Sequence, residues 1–92
     1  MQQFHHFLAL VLPLIFLPLV TSAFAVDQYN KEGNTGLKLV AVVSGETQVV
    51  SGTNYRLILK ATDETAPKTY QAIVWENDLL NKKLTSFEPF LG

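Results

Sequence analysis

The sequence predicts an α+β fold in which one helix near the start of the chain packs against an antiparallel sheet of four, at most five, strands. One helical segment comes first, four short β-rich segments follow it, and the connections between them are short and rich in turn residues. A helix and an antiparallel sheet that each carry one apolar face bury those faces against each other. With 92 residues, the chain has room for a single domain.

The start of the chain has the pattern of a secretory signal peptide. Residues 7–20 are almost wholly apolar, and Thr21, Ser22 and Ala23 supply the small side chains that a signal peptidase reads. This apolar run is short for a membrane span, which takes about 20 residues. We therefore expect residues 1–23 to be removed.

Cleavage after Ala23 would leave residues 24–92 as a secreted domain, in the extracellular space or an endomembrane lumen. Ala25 ends a second site of the same kind, so cleavage there is an alternative. A membrane anchor and a buried core helix are the other interpretations of the leader. Pro13 and Pro18 oppose both, because proline interrupts a helix.

The helix is predicted over residues 24–32. Val26 and Tyr29 are three positions apart and share a face, and Asp27 in the first turn suits the helix dipole. Residues 33–36 contain two glycines, each of which costs about 1 kcal/mol relative to alanine inside a helix. Propensity therefore ends the helix before these glycines.

Four segments rich in β-branched and aromatic residues predict the strands. The first covers residues 37–43, has a break or bulge at 44–46 and resumes at 47–50; the others cover residues 55–61, 69–75 and 84–90. Turns or loops are predicted at residues 51–54, 62–67 and 76–78, which are polar or contain glycine or proline. Pro89 marks the last strand as an edge strand.

Alternation within the strands predicts which side chains form the core. In the second strand the core side is expected to carry Tyr55, Leu57, Leu59 and Ala61, with Arg56 and Lys60 outward. In the third strand one face is expected to carry Tyr70, Ala72 and Val74, and the other Ile73 and Trp75.

The composition excludes most enzyme chemistries. The chain has no cysteine, and both histidines lie in the predicted leader, so residues 24–92 lack thiol nucleophiles, imidazole bases and the commonest zinc ligands. We expect no enzymatic activity, no metal and no cofactor. A hydrolase with a pair of acids is the remaining enzyme hypothesis. The acidic residues lie in turns and at strand ends among lysines, a placement typical of ordinary solvent-exposed surface residues.

The charge balance says which partners to expect. All seven basic and eight acidic residues follow residue 23, and the net charge is −1 without any block of one sign. Binding to nucleic acid or to an anionic membrane is therefore not expected. A partner would be recognised by shape and apolar contact.

Residues 48–52 form an apolar strand end that runs into a glycine turn. Val49 and Val50 are adjacent, so their side chains point to opposite faces and at least one is expected to be exposed near the tip. Gly52 permits a positive φ or a close approach to another backbone. The simplest interpretation is a hairpin, and an exposed valine beside a turn is also a candidate contact surface.

Four segments, in the same order, resemble signatures of plant cystatins. Gln48-Val49-Val50-Ser51-Gly52 resembles the Q-x-V-x-G loop of cystatins, and residues 24–31 resemble the plant signature F-A-V-x-E/D-x-N-K. Val74-Trp75-Glu76 resembles the segment that leads into the second hairpin, and residues 84–89 resemble the closing strand. The resemblance covers about all of residues 24–92.

The resemblance implies a helix cradled by the sheet and continued to about Leu37. Helical steps of three and four would then place five residues on one face, namely Val26, Tyr29, Gly33, Leu37 and Val40. Gly33 would face the sheet and permit close packing.

The resemblance also implies a function. Cystatins are reversible, tight-binding inhibitors of papain-like cysteine proteases, and their wedge of loops blocks the active-site cleft without offering a peptide bond to the catalytic cysteine. The implied binding residues are Gln48, Val49, Val50, Ser51 and Gly52 in the first hairpin, with Leu79 and Leu80 in the second.

The cystatin wedge has three parts, namely an N-terminal trunk with glycine, the Q-x-V-x-G hairpin and a Pro-Trp hairpin. The chain departs from this pattern in the first and the third. No glycine-bearing trunk lies between the predicted leader and Phe24, and Asp78-Leu79 stands where the family has Pro-Trp. Loss of a tryptophan anchor predicts weaker inhibition, by one or more powers of ten. The alternative is a cystatin-fold secreted binding or structural protein with weak or lost inhibitory activity. We expect a monomer, with a dimer that exchanges hairpins as the alternative.

Overall fold

The computed structural model describes residues 16–91. They form one helix, α1 (Phe16–Gly33), and four strands, β1 (Lys38–Val50), β2 (Gly52–Thr62), β3 (Lys68–Glu76) and β4 (Lys82–Pro89). The strands form one antiparallel sheet in the order β1-β2-β3-β4, and α1 packs across it. The predicted α+β class, with one helix on a four-stranded antiparallel sheet, is confirmed.

Helix α1 begins at Phe16, so the predicted start at Phe24 is wrong. Pro18 lies in the first turn, where its missing N–H leaves no helical hydrogen bond unmade. Small side chains allow the helix to approach the sheet closely, and four of them are buried: Thr21, Ser22, Ala25 and Val26. The predicted cleavage point after Ala23 lies within α1. The signal peptide stays a prediction, since residues 1–15 lie outside the described residues.

The helix ends at Gly33, as propensity predicts, so the extension to Leu37 implied by the family resemblance is wrong. Asn34 has a φ of 53°, the left-handed conformation that commonly ends helices. The Asn30 side chain then holds the returning chain, because its Oδ1 accepts from the Leu37 N–H at 2.9 Å and its Nδ2 donates to the Leu37 carbonyl at 2.8 Å. This exit places Leu37 in the core without helical geometry.

The predicted close packing at Gly33 is also wrong. The residue is exposed, and a Cβ there would meet only the Thr35 side chain, at 3.7 Å. Val40, which the extended helix would place on the same face, is an exposed residue of β1.

Strand β1 is continuous, and its irregularities come earlier than predicted. The register shifts between Leu39 and Ala41 and between Val42 and Ser44, so Val40 and Val43 are bulged. Residues 44–46, predicted as a break or bulge, pair in register with β2. Gly45 lies under the helix, where a Cβ would come within 3.2 Å of Pro18.

The core lies between α1 and the sheet, and the predicted alternation holds except at Ile58, which is buried on the opposite face of β2. All four predicted core residues of β2 are buried, as are Ala72 and Val74 of β3, while Arg56 is half-buried and Lys60 exposed. The Tyr29 ring stacks on Phe87 of β4, with ring centroids 4.2 Å apart. β4 is an edge strand, as predicted, but it covers Lys82–Pro89 and not residues 84–90. Within residues 16–91, no helix is both long and apolar enough to cross a membrane.

Candidate functional site

The first hairpin joins β1 to β2 at a tight tip. Val50 pairs with Gly52, leaving Ser51 at the apex, and the ladder continues through Val49–Thr53 and Gln48–Asn54 pairs. The predicted turn over residues 51–54 is therefore too long, because Gly52, Thr53 and Asn54 all belong to β2. Gly52 has a φ of 97°, a left-handed conformation that favours glycine. The positive φ that Gly52 was expected to permit is therefore present.

Both valines of this hairpin are exposed. Val49 keeps 61% of its surface and Val50 keeps 46%, although their side chains point to opposite faces of the strand. Each face of the hairpin therefore presents an exposed valine near the tip. Gln48 is half-buried beneath the valines and Ser51 is exposed at the apex. The result is a narrow projection with apolar sides.

The second hairpin joins β3 to β4 through residues 77–81, and Asn77 organises it. The Asn77 Oδ1 accepts from the backbone N–H of Leu79 at 2.9 Å and from that of Asn81 at 3.0 Å. The Asn77 N–H donates to the Asn81 carbonyl and the Leu80 N–H donates to the Asn77 carbonyl, both at 3.0 Å. Asn77 thus acts as a turn residue, as the polar composition of residues 76–78 indicates.

The same loop presents two leucines to solvent. Leu79 keeps 79% of its surface and Leu80 keeps 71%. Leu80 has a φ of 66°, which is uncommon for a residue with a Cβ. Asp78 beside them is exposed too. A strained, exposed leucine in a hydrogen-bonded loop suggests that the loop is shaped for contact.

The two hairpins lie next to each other at one end of the sheet. β3 ends beside the first hairpin, where Glu76 pairs with Thr53 and Trp75 pairs with Asn54. The indole Nε1 of Trp75 donates to the Ser51 carbonyl at 2.6 Å. The structure therefore brings the predicted binding residues of both hairpins, residues 48–52 and 79–80, to a common end of the molecule.

Tyr55, Glu76 and Lys82 lie beneath the two hairpins. Glu76 was predicted from the sequence to lie in a turn, whereas it is the last residue of β3, and Lys82 was given no role. The Tyr55 hydroxyl donates to Glu76 Oε1 at 2.8 Å, and Lys82 Nζ lies 3.3 Å from Glu76 Oε2. Burial, and then the hydrogen bond and negative charge of Glu76, raise the pKa of Tyr55 to about 12. Of these three residues, only Tyr55 was singled out by the sequence analysis, as the first core residue predicted for β2.

The arrangement suits contact rather than catalysis. Among residues 16–91, no group of three His, Cys, Asp or Glu could hold a metal ion. Two surface clefts beside Tyr29 hold one carboxylate each, Asp63 in one and Glu32 in the other. Neither cleft offers the pair of acids that the hydrolase hypothesis requires.

Comparison with known proteins gives related sequences for most of the chain. A family model described as aspartic acid proteinase inhibitor matches residues 19–90, which include the part of α1 before Phe24. The chain is 57% identical over 68 residues to cysteine proteinase inhibitor 5 of Arabidopsis thaliana, covering 72% of this chain and 56% of the relative. It is 43% identical over 67 residues to cysteine proteinase inhibitor A of Helianthus annuus, covering 72% of this chain and 82% of the relative.

A maize protein named cystatin-1 is 40% identical over 67 residues, covering 72% of this chain and 50% of the relative. The chain spans about half the length of most of these relatives, with 56% of the Arabidopsis protein as an example. The Helianthus annuus protein is shorter, because the matched region covers 82% of its length.

Proposed function

This chain belongs to the cystatin family of proteinase inhibitors, and we propose that it reversibly and tightly inhibits papain-like cysteine proteases. The family consists of inhibitors and not of enzymes. The observation that carries the proposal is the exposure of both Val49 and Val50 at the tip of a narrow hairpin. This hairpin would enter the active-site cleft of the protease.

The shape of the first hairpin supports tight binding. Cross-strand pairing reaches Val50 and Gly52, so the tip is already ordered before it meets a protease. A preformed apolar surface loses little conformational entropy on docking, which leaves more of the contact energy as affinity. Gln48, Ser51 and Gly52 complete the contact surface proposed for this hairpin.

The second hairpin would make a secondary contact through Leu79 and Leu80. These side chains supply apolar area on a loop held by Asn77. Asp78 would bring a charge to the interface, and a leucine gives less contact area than a tryptophan. We therefore propose an inhibitor weaker than a cystatin with Pro-Trp at this loop.

The test is a titration of papain with the full chain, with pepsin titrated in parallel. Complete inhibition of papain at nanomolar to low-micromolar chain, with pepsin unaffected, would support the proposal. Inhibition of pepsin alone would instead support a second candidate, inhibition of aspartic proteinases, which the description of the matching family model favours. A folded, monomeric sample that inhibits neither enzyme would contradict both.

The remaining alternative is a cystatin-fold secreted binding or structural protein with weak or lost inhibition. Asp78 and Leu79, at the position of the family's Pro-Trp pair, motivate it. A double substitution, Asp78→Pro with Leu79→Trp, tests this alternative directly. Inhibition of papain that appears only in the double variant would favour the alternative over the proposal.

A further inference from the structure

Trp75 contacts the tip of the first hairpin from the neighbouring strand β3. It is the one tryptophan of the chain, and it lies next to Val74, whose side chain points into the core. The Trp75 side chain therefore lies on the sheet face opposite the helix. From there its Nε1 donates to the Ser51 carbonyl at 2.6 Å.

Gly52 shows how closely the hairpin approaches β3. A Cβ at Gly52 would lie 2.5 Å from the Glu76 carbonyl oxygen, 2.8 Å from Trp75 Nε1 and 2.9 Å from Trp75 Cε2. Real Cβ atoms do not approach other atoms this closely. The absence of a side chain at Gly52 thus allows the tip to lie directly against the indole and the end of β3.

We propose that Trp75 is a positioning residue for the inhibitory hairpin, which it holds through the carbonyl of Ser51. The proposal rests on the proposed function, because it assigns Trp75 a role in the same site. Beyond the Thr53–Glu76 pair the first hairpin has only two strands, and a two-stranded hairpin is marginally stable in water. Val49 and Val50 are both exposed, so the tip has no core of its own to hold it. The indole supplies a fixed point outside the hairpin ladder.

Trp75→Phe tests the role of the N–H group, because phenylalanine keeps an aromatic ring and removes the donor. We expect the inhibition constant for papain to rise about three- to tenfold, the effect of one hydrogen bond. We also expect faster amide exchange at Ser51 and Gly52, with core amides unchanged. Thr85→Val is the matched control, because Thr85 Oγ1 also donates to a backbone carbonyl, that of Ile73, at 3.1 Å. It should leave inhibition and exchange at the tip unchanged.

A second measurement needs no protease. In a ¹H–¹⁵N spectrum of the full chain the single indole gives one N–H signal, which we expect to be protected from solvent exchange. Gly52→Ala should shift this signal and remove its protection, because the new Cβ would displace the indole. Gly36→Ala is the matched control, since a Cβ there would meet nothing within 4 Å. It should leave the indole signal unchanged.

The two measurements separate the inference from the proposed function. A wild-type indole N–H that exchanges as fast as that of an exposed tryptophan would overturn the positioning role. So would a Trp75→Phe variant that inhibits papain and exchanges at the tip as the wild type does. If the wild type inhibits no protease, the proposed function fails, and the indole signal still decides whether Trp75 holds the hairpin.

Discussion

Tyr55 links the two hairpins at the level of single side chains. Its hydroxyl donates to Glu76, whose other oxygen lies near Lys82 at the start of β4. The phenol is buried and must stay neutral to donate this hydrogen bond. Its stabilising effect should therefore depend on pH.

We expect the stability that Tyr55 contributes to be lost in alkali. The pKa of Tyr55 is about 12 in the folded chain and about 10 in the unfolded chain. A raised folded pKa stabilises the fold fully below pH 10, and this contribution disappears as the pH rises through about 12. The difference in free energy of unfolding between wild type and Tyr55→Phe, measured with urea from pH 8 to 11.5, should shrink above pH 10. A constant difference over this range would contradict the assignment.

Leu80 combines backbone strain with an exposed apolar side chain. Its positive φ is unfavourable for a leucine and easy for glycine. We expect Leu80→Gly to be about 1 kcal/mol more stable than Leu79→Gly, measured by urea unfolding. Both variants should inhibit papain more weakly than the wild type. Equal stability of the two variants would show that the loop does not strain Leu80, and unchanged inhibition would exclude the two leucines from the interface.

At the scale of elements, α1 packs through small side chains, and one of them has a hydroxyl that makes no hydrogen bond. Ser22 is fully buried, and its Oγ has no hydrogen-bond partner among the described residues. A buried hydroxyl without a partner destabilises the folded state. We expect Ser22→Ala to raise the free energy of unfolding by about 1 kcal/mol. Ala25→Ser, which adds a hydroxyl one turn later on the same buried face, should lower it. Destabilisation by Ser22→Ala would contradict this packing.

The first two turns of α1 also pack against the sheet. Thr21 and Ser22 are buried, and Pro18 lies over Gly45 of β1. We expect residues 24–92 to be less stable than residues 16–92 by about 1–3 kcal/mol, because this burial is lost. Urea unfolding of the two chains measures the difference. Equal stability would mean that residues 16–23 do not contribute to the fold.

Strand alternation and helix breakers were sufficient to predict most elements. The core side of β2 and the two faces of β3 followed from period-two alternation, and the end of α1 followed from Gly33. The start of α1 was missed because residues 16–23 match a leader pattern as well as a helix. The bulges at Val40 and Val43 were missed because they come from edge-strand pairing and not from a local breaker.

The proposed binding residues of the two hairpins come from the family resemblance, which did not predict the contacts around them. Alternation placed Trp75 on the face opposite Val74 without showing which face is outer, and the contact of Trp75 with Ser51 spans 24 positions of sequence and depends on the sheet register. The left-handed backbone of Leu80 depends on hydrogen bonds made by Asn77. Local propensity carries no information on either contact.

For the whole molecule, two hairpins with exposed apolar side chains lie at one end of the sheet. The net charge is −1, so long-range attraction has little part in recognition. The contacts of Trp75 and Glu76 join both hairpins to the end of β3. Binding should therefore depend on the identity of the side chains at this end and be insensitive to exposed side chains elsewhere.

The most direct test compares two valine-to-aspartate variants of the same strand. Val49 lies at the tip of the first hairpin and Val43 at a bulge away from it, with similar exposures of 61% and 55%. With both variants folded, we expect Val49→Asp to raise the inhibition constant for papain by about 30-fold or more, the effect of a hot-spot residue. Val43→Asp should stay within about twofold of the wild type, an effect within the usual range for a surface substitution. Equal inhibition constants for the two variants would contradict the claim that the first hairpin is the inhibitory surface.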